Sequence, residues 1–343
     1  MANAMTFERA TAGKPPRAPR RPRHDRRKAL GGSEIAAVMG ISPWQTPVEL
    51  WKAKTGRAGP PKVDPIGDAI KRRGQRLEPI VRAMAIDKLQ QLGLDVALVA
   101  KNGRYFDAEL PWLTAEIDFE LRVSGVATIA GSDVRFSGDV ITADCKTVTG
   151  FARRKWGDEG SDDVPIEYAA QFMHGLALTE REVCLCAALI GLDDVALYWI
   201  RRDDVTIAAM RARAVDFWEN HVLADVPPDP IKYADIRELY PVDNGRTLEA
   251  TPEVADAARE LRRLGRQIEQ LDARREELRL QIAEYLGEYR TLAIEGKPAY
   301  AFPSFETARL NAQALRRQHP DLAELFTERT TARSLQPHRG FRG

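Results

Sequence analysis

The apolar run Val140-Ile141-Thr142-Ala143 ends in Asp144-Cys145-Lys146-Thr147. In a strand, side chains alternate with period two, so Asp144 and Lys146 fall on one face and bring a carboxylate and an ammonium to one spot. Asp118, at the end of the earlier run Leu113-Thr114-Ala115-Glu116-Ile117, would complete an oxygen-rich site. Such a site suits Mg²⁺, a hard cation that takes few protein carboxylates and keeps several waters. Lys146 would then orient a water and help deprotonate it, while the cation offsets charge on a phosphorane. Metal-assisted phosphodiester hydrolysis is the chemistry this pattern permits. Taken alone, Asp-x-Lys is a common pattern, and a strand-end ion pair is its ordinary meaning.

The elements that must position these groups follow from periodicity and caps. Gly31-Gly32-Ser33 precedes Ile35, Ala36, Val38 and Met39, so a short helix capped by Ser33 is expected to end at Gly40. A Ser cap at a glycine-preceded helix start, with Arg26 and Arg27 just upstream, is also an anion site by its chemistry; a plain helix cap is the alternative. Thr46-Pro47 opens a second helix that stops at Gly56. A longer helical stretch covers about 67–92, with Pro79 at a kink or at a new first turn near Leu77 or Glu78.

Between 96 and 146 the pattern becomes four short runs, Val96–Ala100, Trp112–Ile117, Val126–Ala130 and Val140–Asp144, which predict an antiparallel meander. Residues 124–138 read as an extended hairpin inserted between the two acids. Pro165–Leu178 reads as a helix, Val183–Ile190 and Ala196–Arg201 as a hairpin, and 204–223 as an amphipathic helix. This order predicts an α+β fold, α/β-like, with helices around a mixed central sheet. After Pro227-Pro228-Asp229-Pro230, residues 251–287 predict one long helix with a coiled-coil-like stripe. That stripe needs a cover. The segments of 290–326 are the expected one, and a second copy of the chain is the alternative.

The domain expectation is therefore a basic arm at 1–28, a core at 29–226, a linker at 227–250, and a long-helix module with an irregular tail at 251–343. The arm holds nine basic and two acidic side chains, a net +7 within a chain whose total is +1. Its four prolines prevent a regular helix, and it reads either as a nucleic-acid-touching tail or as a solubilising leader.

Other chemistries are excluded by what is missing. Walker, Rossmann and G-x-S-x-G patterns are absent, and the five histidines lack metal-ligand spacing. His174, on an apolar helix, reads as structural. The three cysteines include no C-x-x-C pair; Cys184 and Cys186 read as core, and a reducing compartment is expected. No apolar stretch is long enough for a membrane span or a signal segment, so no membrane association is expected.

The ordered set of landmarks is more specific than any one of them. Ser33-Glu34 after two glycines, Pro43-Trp44 with Thr46-Pro47-Val48-Glu49-Leu50-Trp51-Lys52, Gly74-Gln75-Arg76-Leu77-Glu78-Pro79, Ile117-Asp118, Asp144-Cys145-Lys146-Thr147 and Pro165-x-x-Tyr168-x-x-Gln171 occur in this order. Together they resemble the YqaJ-type viral recombinases, the lambda-exonuclease-like branch of the PD-(D/E)XK nucleases, over residues 27–225.

The resemblance implies a restriction-endonuclease-like core and a Mg²⁺-dependent exonuclease, with Mn²⁺ as a substitute and two ions in the site. Such an enzyme resects duplex DNA from a 5′ end and leaves 3′ overhangs for phage-type recombination. It implies Asp118 and Asp144 as metal acids, Lys146 as the catalytic lysine and Glu78 as the helix-borne acid. Gln171 and Tyr168 match the pair that positions the lysine, the attacking water or the scissile phosphate. Ser33 with Arg26 or Arg27 matches the receptor of the terminal 5′-phosphate. Double-stranded DNA ends, a single-strand annealing protein and a homotrimer are the implied partners, and the cytoplasm of a bacterial host is the implied location for a phage or prophage protein.

Two departures stand out. Asp144 occupies a position where the family usually has Glu, and the long spacing from Asp118 leaves Asp139 as an alternative first acid, with Asp133 nearby. An endonuclease on the same core, or a DNA-binding scaffold that has lost catalysis, are the competing readings.

Overall fold

A computed structural model of the protein describes residues 26–59, 64–191, 194–327, 329, 331–338 and 341. The basic arm at 1–25 and the side chain of Arg26 lie outside the described residues. The chain divides into two compact units, one ending at Asp235 and the other beginning at Ile236.

The first unit opens with a 3-10 turn at Arg26–Lys28, the two-residue strand β1 (Leu30–Gly31) and the helices α1 (Gly32–Val38), α2 (Pro47–Lys54) and α3 (Pro65–Gln91). Three long strands follow: β2 (Asp95–Phe106), β3 (Leu113–Ile129) and β4 (Ser132–Val148). After a 3-10 segment at Gly150–Lys155 come α4 (Ile166–Thr179), β5 (Val183–Ile190), β6 (Val195–Arg201) and α5 (Asp204–Asp216), which continues as a π-helical stretch at Phe217–Leu223.

The sheet is mixed. β3 pairs antiparallel with both β2 and β4, β4 runs parallel to β5, and β5 turns back antiparallel into β6. A parallel neighbour requires a crossover, and α4 supplies it between β4 and β5. The expected α+β core with helices around a mixed sheet is thus the observed one.

The sheet buries both faces, and period-two alternation sorts its side chains. Phe119, Leu121, Ile141, Ala143, Leu185 and Ala187 pack with Val81, Ala85 and Leu89 of α3. Cys184, Cys186, Ala188 and Tyr198 pack with Phe172 and Leu176 of α4. Asp144 and Lys146 alternate with Ala143 and Cys145, so they share the α4 face. α4 lies close to β3: a Cβ placed on Gly175 would come within 3.0 Å of the Ile117 Cδ1.

Several boundaries differ from expectation. Gly31, not Ser33, occupies the N-cap of α1, and the helix closes at Val38. The Glu34 carboxylate takes over the capping work by accepting the Gly31 N–H at 2.9 Å, so the glycine tolerates the extended cap conformation without a side-chain acceptor of its own. α3 runs through Pro79 without restarting and begins two residues early, at an Asp64 cap. Trp112–Ile117 and Val126–Ala130 belong to one strand, because the β3 and β4 arms stay paired out to the turn at Ala130-Gly131. A register shift between Val123 and Ser124 marks the start of the outer hairpin.

Residues 227–250 are not a simple linker. They contain α6 (Tyr233–Leu239), and the buried Asp235 accepts hydrogen bonds from Thr46 Oγ1 at 2.6 Å, Ile231 N at 2.9 Å and Lys232 N at 3.0 Å.

The second unit holds α7 (Pro252–Leu286), a hairpin of β7 (Thr291–Ile294) and β8 (Lys297–Ala301), and the short helices α8 (Ala312–Gln318) and α9 (Pro320–Leu325). The expected long helix is present with its Thr251 cap and Pro252 at the first position. Its expected cover by residues 290–326 is not: Leu261, Leu264, Ile268, Leu271 and Leu278 remain exposed. The short segments after Leu286 pair with one another instead, as a hairpin and a helix pair.

Candidate active site

Asp118 and Asp144 come from adjacent antiparallel strands whose neighbouring residues Phe119 and Ala143 are directly paired. Asp118 Oδ2 accepts the backbone N–H of Cys145 at 2.8 Å. That N–H belongs to the residue between Asp144 and Lys146, so one cross-strand bond fixes all three groups together. Asp144 is buried and its carboxylate is ion-paired with the Lys146 ammonium.

Gln171 closes the cluster from α4. Its Nε2 donates to Asp144 Oδ2 at 3.2 Å, and its Oε1 accepts from Lys146 Nζ at 3.4 Å. Tyr168 lies one turn before Gln171 and Phe172 one turn after Tyr168, so Gln171 and Phe172 each share a helix face with Tyr168. The Tyr168 and Phe172 rings stand 5.1 Å and 5.3 Å from the Lys146 ammonium, within cation–π range. Trp156, buried, and Trp44, exposed, flank the Tyr168 ring at 5.8 Å each.

The electrostatics follow from this enclosure. Burial pushes the Asp118 carboxyl well above the usual carboxylate range, and the Asp144 charge beside it adds to the effect. Burial opposes the charge on Lys146, but Asp144 and Asp118 outweigh it and hold the ammonium above its ordinary value. The lysine is therefore a cation and a hydrogen-bond donor at neutral pH. Burial also raises the Tyr168 phenol, keeping it protonated.

Glu78 sits on α3, against the opposite face of the sheet. Its backbone carbonyl faces the Cys145 Sγ at 3.6 Å, and its carboxylate pairs with Arg82 at 3.5 Å. Its charge still reaches Asp118 and helps raise that carboxyl. Asp139 is engaged elsewhere, accepting the Ser137 N–H at 2.7 Å, and Asp133 accepts from Thr128 Oγ1 at 2.9 Å in the outer hairpin. Asp118, not Asp139, is the acid beside Asp144.

A cleft of about 550 Å³ opens beside the cluster, lined among others by Gly31, Gly32, Ser33, Arg104, Asp118 and Gln171. Ser33 and Asp118 thus share one cavity although 85 residues separate them. Ser33 is exposed at the start of α1, and that start is held by Lys54, whose Nζ donates to the Ala29 carbonyl at 2.6 Å and to Glu34 at 2.7 Å. Arg27 is exposed just upstream.

The donor set suits a hard cation. Among the described residues no three His, Cys, Asp or Glu side chains form a complete ligand group. Mg²⁺ does not need one, since one or two carboxylates plus water and substrate oxygens satisfy it. Two acids stand side by side, with the Asp118 carboxyl raised by burial and then by the Asp144 charge, and a cation bound between them would offset both effects.

The sequence did not single out Phe172, Trp156, Lys54 or Arg104. Phe172 was findable as the i+4 neighbour of Tyr168. The others depend on contacts between elements far apart in the chain. His174 is structural as expected: its Nε2 meets the Thr114 carbonyl at 3.0 Å, and burial lowers its pKa to about 4. Cys184 and Cys186 are buried in the core, where burial raises both thiols.

The profile of the YqaJ-like viral recombinase domain matches residues 23–182. An uncharacterised protein of Bacillus subtilis strain 168, YqaJ, is 25% identical over 324 residues, which cover 89% of this chain and 90% of that protein. Among solved structures, the alkaline exonuclease LHK-Exo of Laribacter hongkongensis is 19% identical, covering 59% of this chain and 91% of its own, with a TM-score of 0.41. A phage-related exonuclease from Haemophilus somnus 129PT is 13% identical, covering 57% and 95% of the two chains, with a TM-score of 0.36.

Proposed function

We propose, from the match of residues 23–182 to the YqaJ-like viral recombinase domain, that the chain is a divalent-metal-dependent DNA exonuclease. It digests one strand of a duplex from a 5′ end and leaves a single-stranded 3′ overhang for recombination. The observation that carries this reading is the convergence of Asp118, Asp144, Lys146 and Gln171 at a cleft that also holds Ser33.

Asp118 and Asp144 would hold Mg²⁺; Glu78, whose charge reaches Asp118 from α3, would serve a second ion only after leaving its pairing with Arg82. When bound, the ion supplies Lewis-acid charge to the phosphate oxygens and makes a water acidic enough to attack at neutral pH. The chain's own residues do the rest. Lys146, kept protonated by the two acids, aims its N–H groups at the phosphate and at the incoming water, and stabilises the charge that develops in the transition state. Gln171 holds both Asp144 and Lys146, so neither has to reorganise during the reaction. Tyr168 and Phe172 shield the ammonium from bulk water, which strengthens its field at the cleft.

Ser33, which lines the cleft, and Arg27 upstream of it would supply a donor and a positive charge as a receptor for a terminal 5′-phosphate. Arg26 extends the same basic segment. A single-strand annealing protein that takes up the overhang is the partner this product calls for.

The test is digestion with Mg²⁺ of a linear duplex carrying a label at either the 5′ or the 3′ end, beside a covalently closed circle. The proposal expects early release of the 5′ label, late release of the 3′ label and an intact circle. A nicked or linearised circle would establish an endonuclease instead, and no digestion under any divalent ion would leave a DNA-binding scaffold. Phosphorylated 5′ ends are expected to be digested faster than hydroxyl ends, with the difference reduced in Ser33→Ala.

A further inference from the structure

In α7, Val254, Leu261, Ile268, Arg275 and Ile282 recur every seven residues, and Ala257, Leu264, Leu271, Leu278 and Tyr285 follow each by three. This is the a/d pattern of a two-stranded coiled coil, sustained over more than four heptads with Arg275 as its one charged member. Leu261, Leu264, Ile268, Leu271 and Leu278 are 41–69% exposed. With Val254 and Tyr285 they leave on the order of 800 Å² of side-chain surface open along one stripe, the area each partner contributes to a standard stable interface. A continuous apolar stripe of that size on a charged helix marks an interaction surface.

We infer that α7 pairs with α7 of a second copy of this chain, as an antiparallel two-stranded coiled coil centred on Ile268 and Leu271. The charges choose both the occupant and the direction. A parallel, in-register pair would stack Arg275 on the partner's Arg275 inside the seam, and would set Arg274 against the partner's Arg279 along its edge. Both contacts join like charges, the first in a layer withdrawn from water.

The antiparallel pair removes both conflicts. It seats Ile268 against the partner's Leu271, Leu261 against the partner's Leu278, and Leu264 against the partner's Arg275. Each arginine then packs its aliphatic stem on a leucine while its head group reaches the rim. That head group is already drawn aside, bound to Asp272 at 2.9 Å. The remaining flank charges are satisfied within each helix, as Arg263 with Glu260, Arg274 with Glu277 and Arg279 with Glu276, so the rim opposes neither copy. The heptads thus form a self-complementary surface in one orientation only.

The test uses the full-length protein and light scattering. Ile268→Glu and Leu271→Glu are each expected to halve the particle mass, whatever contacts the first unit makes, while Ala273→Glu on the opposite helix face leaves it unchanged. Direction is read by oxidation: Leu261→Cys and Leu278→Cys proteins cross-link when mixed, and neither cross-links alone beyond the parent protein. A parent of one chain's mass, 38.3 kDa, overturns the inference, as does a larger particle that ignores both glutamate substitutions. Self-cross-linking of Leu261→Cys overturns the antiparallel arrangement. The cysteine pair decides the matter even if a glutamate variant fails to fold.

Discussion

Asp118 accepts the backbone N–H of Cys145 from the neighbouring strand at 2.8 Å. The side chain of Cys145 points to the α3 face, yet its main chain belongs to the site on the α4 face. Because that peptide joins Asp144 to Lys146, any slip of β3 against β4 would displace the first acid from the other two groups at once. The site is built on strand register, which buried side chains on both faces hold in place.

Under the proposed function Gln171 acts as a positioning residue, through its contacts with Asp144 and Lys146. Outer ligands of this kind typically govern metal affinity by 10- to 100-fold. Gln171→Ala is therefore expected to raise the Mg²⁺ concentration for half-maximal digestion by about 10-fold or more. Duplex affinity measured in Ca²⁺ should stay unchanged; a loss of DNA binding with unaltered Mg²⁺ dependence would contradict this role.

His174 makes stability depend on pH. Its folded-state pKa, lowered to about 4 by burial, lies below the unfolded value near 6.5, so between these limits the unfolded chain binds more protons. Its contribution is complete above pH 6.5 and is lost as pH falls toward 4, amounting to about 3 kcal/mol at most. Urea midpoints at pH 7.5 and 5 should differ less for His174→Gln than for the parent. An equal acid loss in both would show that other groups carry it.

Gly175 lets α4 close on β3, with a virtual Cβ only 3.0 Å from Ile117 Cδ1. A branched side chain must push the helix out or force Ile117 from its rotamer. Gly175→Val is expected to destabilise the fold by about 1–3 kcal/mol, seen in urea melts, and to slow digestion because Gln171 and Tyr168 ride on the same helix. Smaller Ile117→Val should recover part of the loss.

Asp235 ties the chain after the π-helical stretch to the cap of α2 through Thr46. Asp235→Ala strands a buried hydroxyl and two backbone N–H groups, and should cost about 1–3 kcal/mol in a chemical melt. Thr46→Val combined with it should cost less than the two single changes added, since they share one bond.

How much of this was legible depended on whether the signal was local. Asp144 and Lys146 could be placed on one face because period-two alternation fixes a strand's faces, while the role of these two and of Asp118 rested on the ordered set of motifs. Tyr168 and Gln171 were reached through the resemblance alone, as the matched pair of the Pro165-x-x-Tyr168-x-x-Gln171 motif. The merging of two short runs into β3 was not legible: the Ser124-Gly125 break looks like a turn locally, and only pairing with β4 keeps it extended through a bulge. Ser33 was misread as a cap for a similar reason. Glu34, a helix residue, supplies the acceptor that Gly31 lacks, and Lys54 from another helix holds that carboxylate in place. Asp235 fell in a proline-rich stretch with no periodicity, and its burial depends on α2, nearly 190 residues earlier.

The most direct test of the central claim is the rate of Mg²⁺-dependent duplex digestion by the parent beside Asp118→Asn, Asp144→Asn and Lys146→Met, each verified as folded by its melting transition. The convergence of these three groups on one reacting phosphate predicts that every variant loses at least about 100-fold in rate at saturating DNA. Any of the three digesting DNA at the parental rate would contradict it.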